Sequence, residues 1–267
     1  MLLRFHKCHG TGNDFIIMDD RRKKFPSKNV KLIAGLCNRR TGIGADGLIL
    51  LRKHRKTDFE MLYYNADGKI GSMCGNGGRC AAALAYKLGI VTKNSRLTTI
   101  DGIHNAEILS GDSAKENFTV RISMSDVSRI KKFSDCIFID TGSPHCVCFV
   151  NDVDKTDVIA RGRKLRYDKR FAPGGANVNF VLSGKDKLQV RTYERGVEDE
   201  TLSCGTGVVA SALTLALNDK NTAGKKTVGV KTPGGNLKVH FTYHNQKFTS
   251  VYLEGPAVIV YEGKIDI

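Results

Sequence analysis

Short apolar or alternating runs at residues 15–18, 47–51, 59–64 and 118–122, and again at 137–140, 179–182, 188–193 and 238–241, predict a strand-rich chain. Two segments break that pattern. Residues 80–88 and 208–217 are built from alanine, leucine, valine and other small side chains and are apolar on nearly every face, which predicts helices buried at the centre of a domain. Gly89 and Asn218, residue types that tolerate a left-handed cap, mark their ends. Residues 29–38 and 153–163 predict peripheral helices. Strands surrounding one buried helix favour an α+β fold, with a mixed, largely antiparallel sheet wrapped around that helix.

The two central helices are preceded by the same device. One opens on Met73-Cys74-Gly75-Asn76-Gly77-Gly78-Arg79 and the other on Ser203-Cys204-Gly205-Thr206-Gly207. An offset of 130 residues that aligns Cys74 with Cys204 also aligns Gly12-Asn13 with Gly142-Ser143 and Leu48 with Val178, while Tyr64 meets Tyr193 at an offset of 129. The chain therefore reads as two copies of one unit. Domains are expected at 1–128 and 129–267, pseudo-symmetric, with the last strand able to cross back to the first domain.

A cysteine at a helix N-terminus faces unpaired N–H groups and the positive end of the helix dipole, so its thiolate is stabilised there. An isolated cysteine in such an apolar setting is ordinarily a small core residue. The repetition of the whole context argues against that reading. Two such cysteines facing one carbon would form an acid and a base of the same chemical kind.

Composition narrows the classes. The chain has 267 residues, 41% of them hydrophobic, enough for two domains with cores of their own. No apolar run approaches the about 20 residues of a membrane span, and the N-terminus lacks the apolar stretch of a secretory signal. No membrane association is expected. Eight cysteines at irregular spacing indicate reduced thiols and a cytoplasmic location, and none of the spacings resembles a zinc ribbon, so no metal site is read. Cys146 and Cys148 alternate in a strand-like run and would share a face. The formal charge of +15 raises nucleic-acid binding as an alternative. The basic residues are nevertheless scattered in short runs without aromatic stacking partners, so no nucleic-acid partner is expected.

Further motifs lie in order along the chain: His9-Gly10-Thr11-Gly12-Asn13-Asp14-Phe15, Gly42-Ile43-Gly44-Ala45-Asp46-Gly47, Tyr64-Asn65-Ala66-Asp67-Gly68, Pro144-His145-Cys146, Asn177-Val178-Asn179, Tyr193-Glu194-Arg195-Gly196 and Gly255-Pro256-Ala257. Together with the two cysteine turns, this set resembles the diaminopimelate epimerase family of cofactor-independent amino-acid epimerases. The resemblance implies two pseudo-symmetric domains with a cleft between them, no cofactor, and interconversion of LL- and meso-diaminopimelate for lysine and peptidoglycan synthesis. A homodimer is expected. The runner-up is a related racemase of another polar amino acid, and a basic binding protein without catalysis is the third reading.

The chemistry suits the residues. Inverting a carbon centre needs a proton to leave one face and another to arrive on the opposite face, so Cys74 and Cys204 are expected to be one thiolate and one thiol. Backbone N–H groups of Gly75, Asn76, Gly205 and Thr206 are expected to bind the α-carboxylate as charge builds on it. By resemblance Arg195 holds the distal carboxylate and Glu194 the distal ammonium, Asn13, Asn65 and Asn177 bind substrate, and His145 lies beside the first cysteine and assists its deprotonation. The sequence departs from the family at Ser143, where many members carry Asn, and at Gly47, where some carry Gln.

Overall fold

In a computed structural model the chain is described over residues 1–267 except 113, 115, 128, 185–186 and 218–222. The predicted end of the second central helix at Asn218 lies outside the described residues. The chain divides into two compact units, Met1–Ile122 with Gly255–Ile267, and Ser123–Glu254. The final strand is 20 residues long and serves both units in turn, crossing back to the first from Gly255 onward.

The first unit contains β1 (Leu2–Gly10), β2 (Asn13–Asp19), α1 (Val30–Cys37), β3 (Gly47–Arg52), β4 (Phe59–Asn65), α2 (Gly75–Lys87), β5 (Asn94–Thr99), β6 (Gly102–Ser110) and β7 (Asn117–Ser123). The second contains β8 (Ile130–Lys132), β9 (Ile137–Asp140), β10 (Pro144–Phe149), α3 (Val158–Arg166), β11 (Asn177–Ser183), β12 (Lys187–Glu194), β13 (Asp199–Thr201), α4 (Gly205–Ala216), β14 (Gly224–Thr232), β15 (Gly235–His244) and the start of β16 (Lys247–Asp266).

In the first unit β1 to β7 follow one another in the sheet, and the end of β16 pairs with both β7 and β1, which closes the ring. Helix α2 lies inside it, buried from Gly75 to Ala85. Gly89 ends the helix at φ 66°, its N–H donating back to Tyr86 O. In the second unit the order is β16-β15-β14-β12-β11-β10-β9-β8, and a bridge from Val127 to Phe248 returns the chain to β16. Helix α4 occupies the corresponding inner place, with Val208, Val209, Ala212 and Leu213 fully buried.

The internal repeat is carried in the registers. Parallel strands β2 and β3 pair Phe15 with Gly47, and parallel strands β10 and β11 pair His145 with Asn177, each partner displaced by 130 residues. Antiparallel β3 and β4 pair Leu48 with Tyr64, as β11 and β12 pair Val178 with Tyr193. In both units the strands mix parallel and antiparallel pairs, as expected of this α+β fold. Helix α3 starts later than the predicted 153–163, because the Asp152 carboxylate accepts the N–H groups of Asp154 and Lys155 in a turn and Asp157 supplies the N-cap to Ala160.

Candidate active site

Cys74 and Cys204 are the N-cap residues of the two central helices, in nearly the same backbone conformation: φ −114°, ψ 113° for Cys74 and φ −106°, ψ 109° for Cys204. Each cap carbonyl accepts the first bond of its helix, from Gly78 and Val208. Cys204 is buried and Cys74 partly so.

Around Cys74, two charged groups fix the orientation of two amides. The Asp46 carboxylate, held by Arg39 at 2.7 Å, can only accept, so Asn13 turns its Nδ2 toward Asp46 at 2.8 Å. Buried Arg79 can only donate, and its Nη2 meets Asn76 Oδ1 at 3.0 Å, leaving Asn76 Nδ2 to donate to Asn13 Oδ1 at 3.3 Å. Asn13 Oδ1 is therefore the atom that faces Cys74 Sγ at 3.5 Å. The Gly77 N–H points at the same sulfur from 3.4 Å. Arg79 makes no ion pair among the described residues and is satisfied by oxygens of Gly75, Asn76 and Pro256; burial lowers its pKa to about 10, so it remains a cation at neutral pH.

Around Cys204 the partners differ. Asn179 Nδ2 reaches His145 Nδ1 at 3.0 Å and the Cys146 carbonyl at 3.5 Å, and only an N–H can donate to that carbonyl. Thr192 Oγ1 donates to the other end of the amide, at 3.0 Å. His145 Nδ1 is thereby an acceptor, and its proton lies on Nε2, which donates to Thr206 Oγ1 at 2.9 Å. Thr206 keeps its own hydroxyl proton for Cys204 Sγ, 3.5 Å away. Complete burial, with the Arg195 charge adding to it, holds the His145 pKa at about 3, so the imidazole is neutral. Its Nε2 bond runs to the first turn of α4, which Cys204 caps, and its Nδ1 bond to Asn179 on β11.

The remaining expected residues separate into engaged and available groups. Asn177 donates both Nδ2 hydrogens, to Ser143 Oγ and Pro144 O at 3.0 Å each, and accepts the Arg195 N–H at 2.8 Å. Its amide thus shapes the Arg195 turn. Glu194 accepts from Thr201 at 2.8 Å. Arg195 is half-buried, its Nη1 lies by Gly174, and its side chain has no ion-pair partner among the described residues. Asn65 is exposed at the end of β4, with Oδ1 near Gly71. Gly75 and Gly205 open the two helices and are buried. At Gly47 a Cβ would meet Tyr64 O at 2.4 Å and the Tyr63 ring at 2.5 Å, so that ring fills the space a side chain would take.

Sequence reasoning did not assign Asp46, Arg79, Thr192 or Asn179. Three of the four stand inside quoted motifs, but their function is to orient other polar groups, which only converging strands reveal.

The relatives of this chain place it in a class of α+β isomerases. A family model described as diaminopimelate epimerase matches residues 5–129 and 137–260. Diaminopimelate epimerase of Flavobacterium psychrophilum is 44% identical over 264 residues, covering 98% of this chain and 100% of the relative. That of Chlorobaculum tepidum is 44% identical over 261 residues, covering 97% and 99%. A crystal structure of the Bacillus anthracis phenazine biosynthesis protein of the PhzF family shares the fold, with TM-score 0.79, 14% identity and full coverage of both chains. The chain belongs to the diaminopimelate epimerase family.

Proposed function

We propose that this chain interconverts LL- and meso-diaminopimelate by passing protons between Cys74 and Cys204, as a step toward lysine and peptidoglycan precursors. The observation that carries this reading is the pair of N-cap cysteines in matching backbone conformations on two buried helices. The surroundings also favour an assignment of roles. Cys74 meets the acceptor oxygen of Asn13 beside the Gly77 N–H, and Cys204 meets the Thr206 hydroxyl; on this reading Cys74 starts as the thiol and Cys204 as the thiolate. In the forward step Cys204 takes the α-proton from one face while Cys74 delivers its own to the other, which leaves the roles exchanged for the reverse reaction.

Negative charge that builds on the α-carboxylate is met by N–H groups at the two helix N-termini, from Gly75 and Asn76 and from Gly205 and Thr206. Arg195, without an internal anion, is suited to the distal carboxylate, and Glu194 to the distal ammonium. Ser143 and Asn177 hold the turn that presents Arg195. Asn13 and Asn65 complete the polar lining. Eight free thiols fit a reducing, cytoplasmic compartment. A homodimer is part of the reading and is measured by light scattering.

Proton NMR in deuterated water tests the reaction. LL-diaminopimelate should lose its α-proton signal and yield the meso isomer, and Cys74→Ala and Cys204→Ala should each abolish that conversion. The mechanism also requires both sulfurs to meet at one carbon. Aerobic inactivation, reversed by dithiothreitol and slowed by substrate, should therefore yield a peptide linking Cys74 to Cys204. Inactive oxidised protein with both thiols free excludes the facing pair. The Tyr63 ring over Gly47 favours one second reading, a racemase of another polar amino acid. Equal turnover of an amino acid lacking the distal carboxylate would select it.

A further inference from the structure

Three cysteines outside the candidate active site lie together. Cys136, Cys146 and Cys148 are all buried, and their sulfurs lie within 4.8 Å of one another, with Cys146 Sγ and Cys148 Sγ 3.7 Å apart. The backbone explains the grouping. Cys146 and Cys148 alternate on β10 and so share a face, opposite to that of His145. Antiparallel β9 and β10 pair Ile137 with Val147, and the residue before β9, Cys136, continues that register toward Cys148.

We propose that this triad is a three-coordinate thiolate site for a soft cation, Cu(I). With metal–sulfur bonds of about 2.3 Å, a planar arrangement of three sulfurs sets them about 4.0 Å apart. The observed spacing needs only small rotations to meet that. Thiolates select Cu(I) and zinc among common ions, but zinc takes four ligands. Among the described residues no histidine, aspartate or glutamate joins the three cysteines, and the core cluster they belong to also holds Val153, Val158, Phe171, Val178 and Phe180.

Loading with Cu(I) expels the thiol protons to solvent, with no change of oxidation state. Retention should strengthen as pH rises. Cys136 directly follows Asp135, which pairs with Arg170.

The test uses full-length protein carrying Cys74→Ala and Cys204→Ala, so that neither helix-cap thiol competes for metal. Under anaerobic, reducing conditions Cu(I) is supplied against bathocuproine disulfonate and bound copper is counted. We expect one Cu(I) per chain, with thiolate-to-copper absorption in the ultraviolet, and loss of both in Cys136→Ser, Cys146→Ser and Cys148→Ser proteins that retain the native circular dichroism. X-ray absorption at the copper edge, which needs no change in the triad, should find three sulfur neighbours. Absence of bound copper, retention in the serine variants, a copper shell with fewer than three sulfurs, or zinc held where Cu(I) is not, each overturns the proposal. None of these outcomes bears on the epimerase reading, since the triad takes no part in it.

Discussion

Gly77 and Gly207 occupy the same position in the first turn of the two central helices, yet replacing each with alanine should have unequal results. A Cβ on Gly207 would stand 2.3 Å from Asn179 Oδ1 and 3.3 Å from His145 Cε1. Asn179 is fully buried and cannot swing into solvent. Accommodating the methyl would disturb its bonds to His145, Thr192 and the Cys146 carbonyl, worth about 1 kcal/mol each and more if left unpaired. Alanine in place of glycine returns at most about 1 kcal/mol in helix propensity. The balance is a loss of about 2 kcal/mol, or about 8 °C in midpoint for a unit of this size. At Gly77 the nearest atoms are Ile49 Cδ1 at 3.0 Å, Met61 Cε at 3.3 Å and Phe15 Cζ at 3.4 Å, the first two being tips of flexible side chains. Gly77→Ala should therefore stay within about 1 kcal/mol of the parent protein. Calorimetric or urea unfolding of both variants measures the difference, and turnover should fall further in Gly207→Ala because the same shift disturbs His145 and Thr206. If both variants unfold at the same midpoint, the packing of Asn179 against α4 is not as described.

Thr206→Val keeps the side-chain shape but removes the hydroxyl between His145 and Cys204, and should lower kcat about 10-fold, the effect of about 1.4 kcal/mol, while Thr206→Ser restores most of it; equal rates for both would separate the hydroxyl from catalysis. Arg195→Leu should raise KM for diaminopimelate at least 10-fold, for about 1.5–3 kcal/mol of lost charge-assisted bonding, with an unchanged thermal midpoint; a fall in midpoint matching the fall in activity would assign the residue to folding instead. His145 is neutral in the folded chain with a pKa of about 3 against 6.5 for the free group. The unfolded chain therefore binds one more proton between those values, so stability should fall as pH drops from 6.5 toward 3 and stay level above 6.5 on this account. Urea midpoints across that window should decline less steeply in His145→Gln, and an unchanged slope would show that the imidazole is not the group responsible.

Much of the fold was legible because the strongest signals are repeated. The apolar runs at 47–51 and 59–64 fall within β3 and β4, and the all-apolar character of 80–88 and 208–217 is what helices enclosed by a sheet require. Strands β1, β14 and β16 escaped because lysines and other polar residues stand among their apolar positions, leaving no clean run. The cysteine caps could be found from glycine spacing alone. Their partners could not: Asn179 meets His145, and Asp46 meets Asn13, across strand pairings whose register is set by the whole sheet. Cys136 likewise looks solitary until β9 is laid against β10.

Strand β16 also sets an order of events during synthesis. Its segment up to Glu254 completes the second unit, and only the residues from Gly255 onward fill the gap between β7 and β1 in the first. A nascent chain emerging from the ribosome thus presents β1 to β7 with two unpaired strand edges for as long as the remaining half is being made. The second unit can close as soon as residues near 254 are released, whereas the first waits for residues 255–266. The half that is translated first is the half that is finished last.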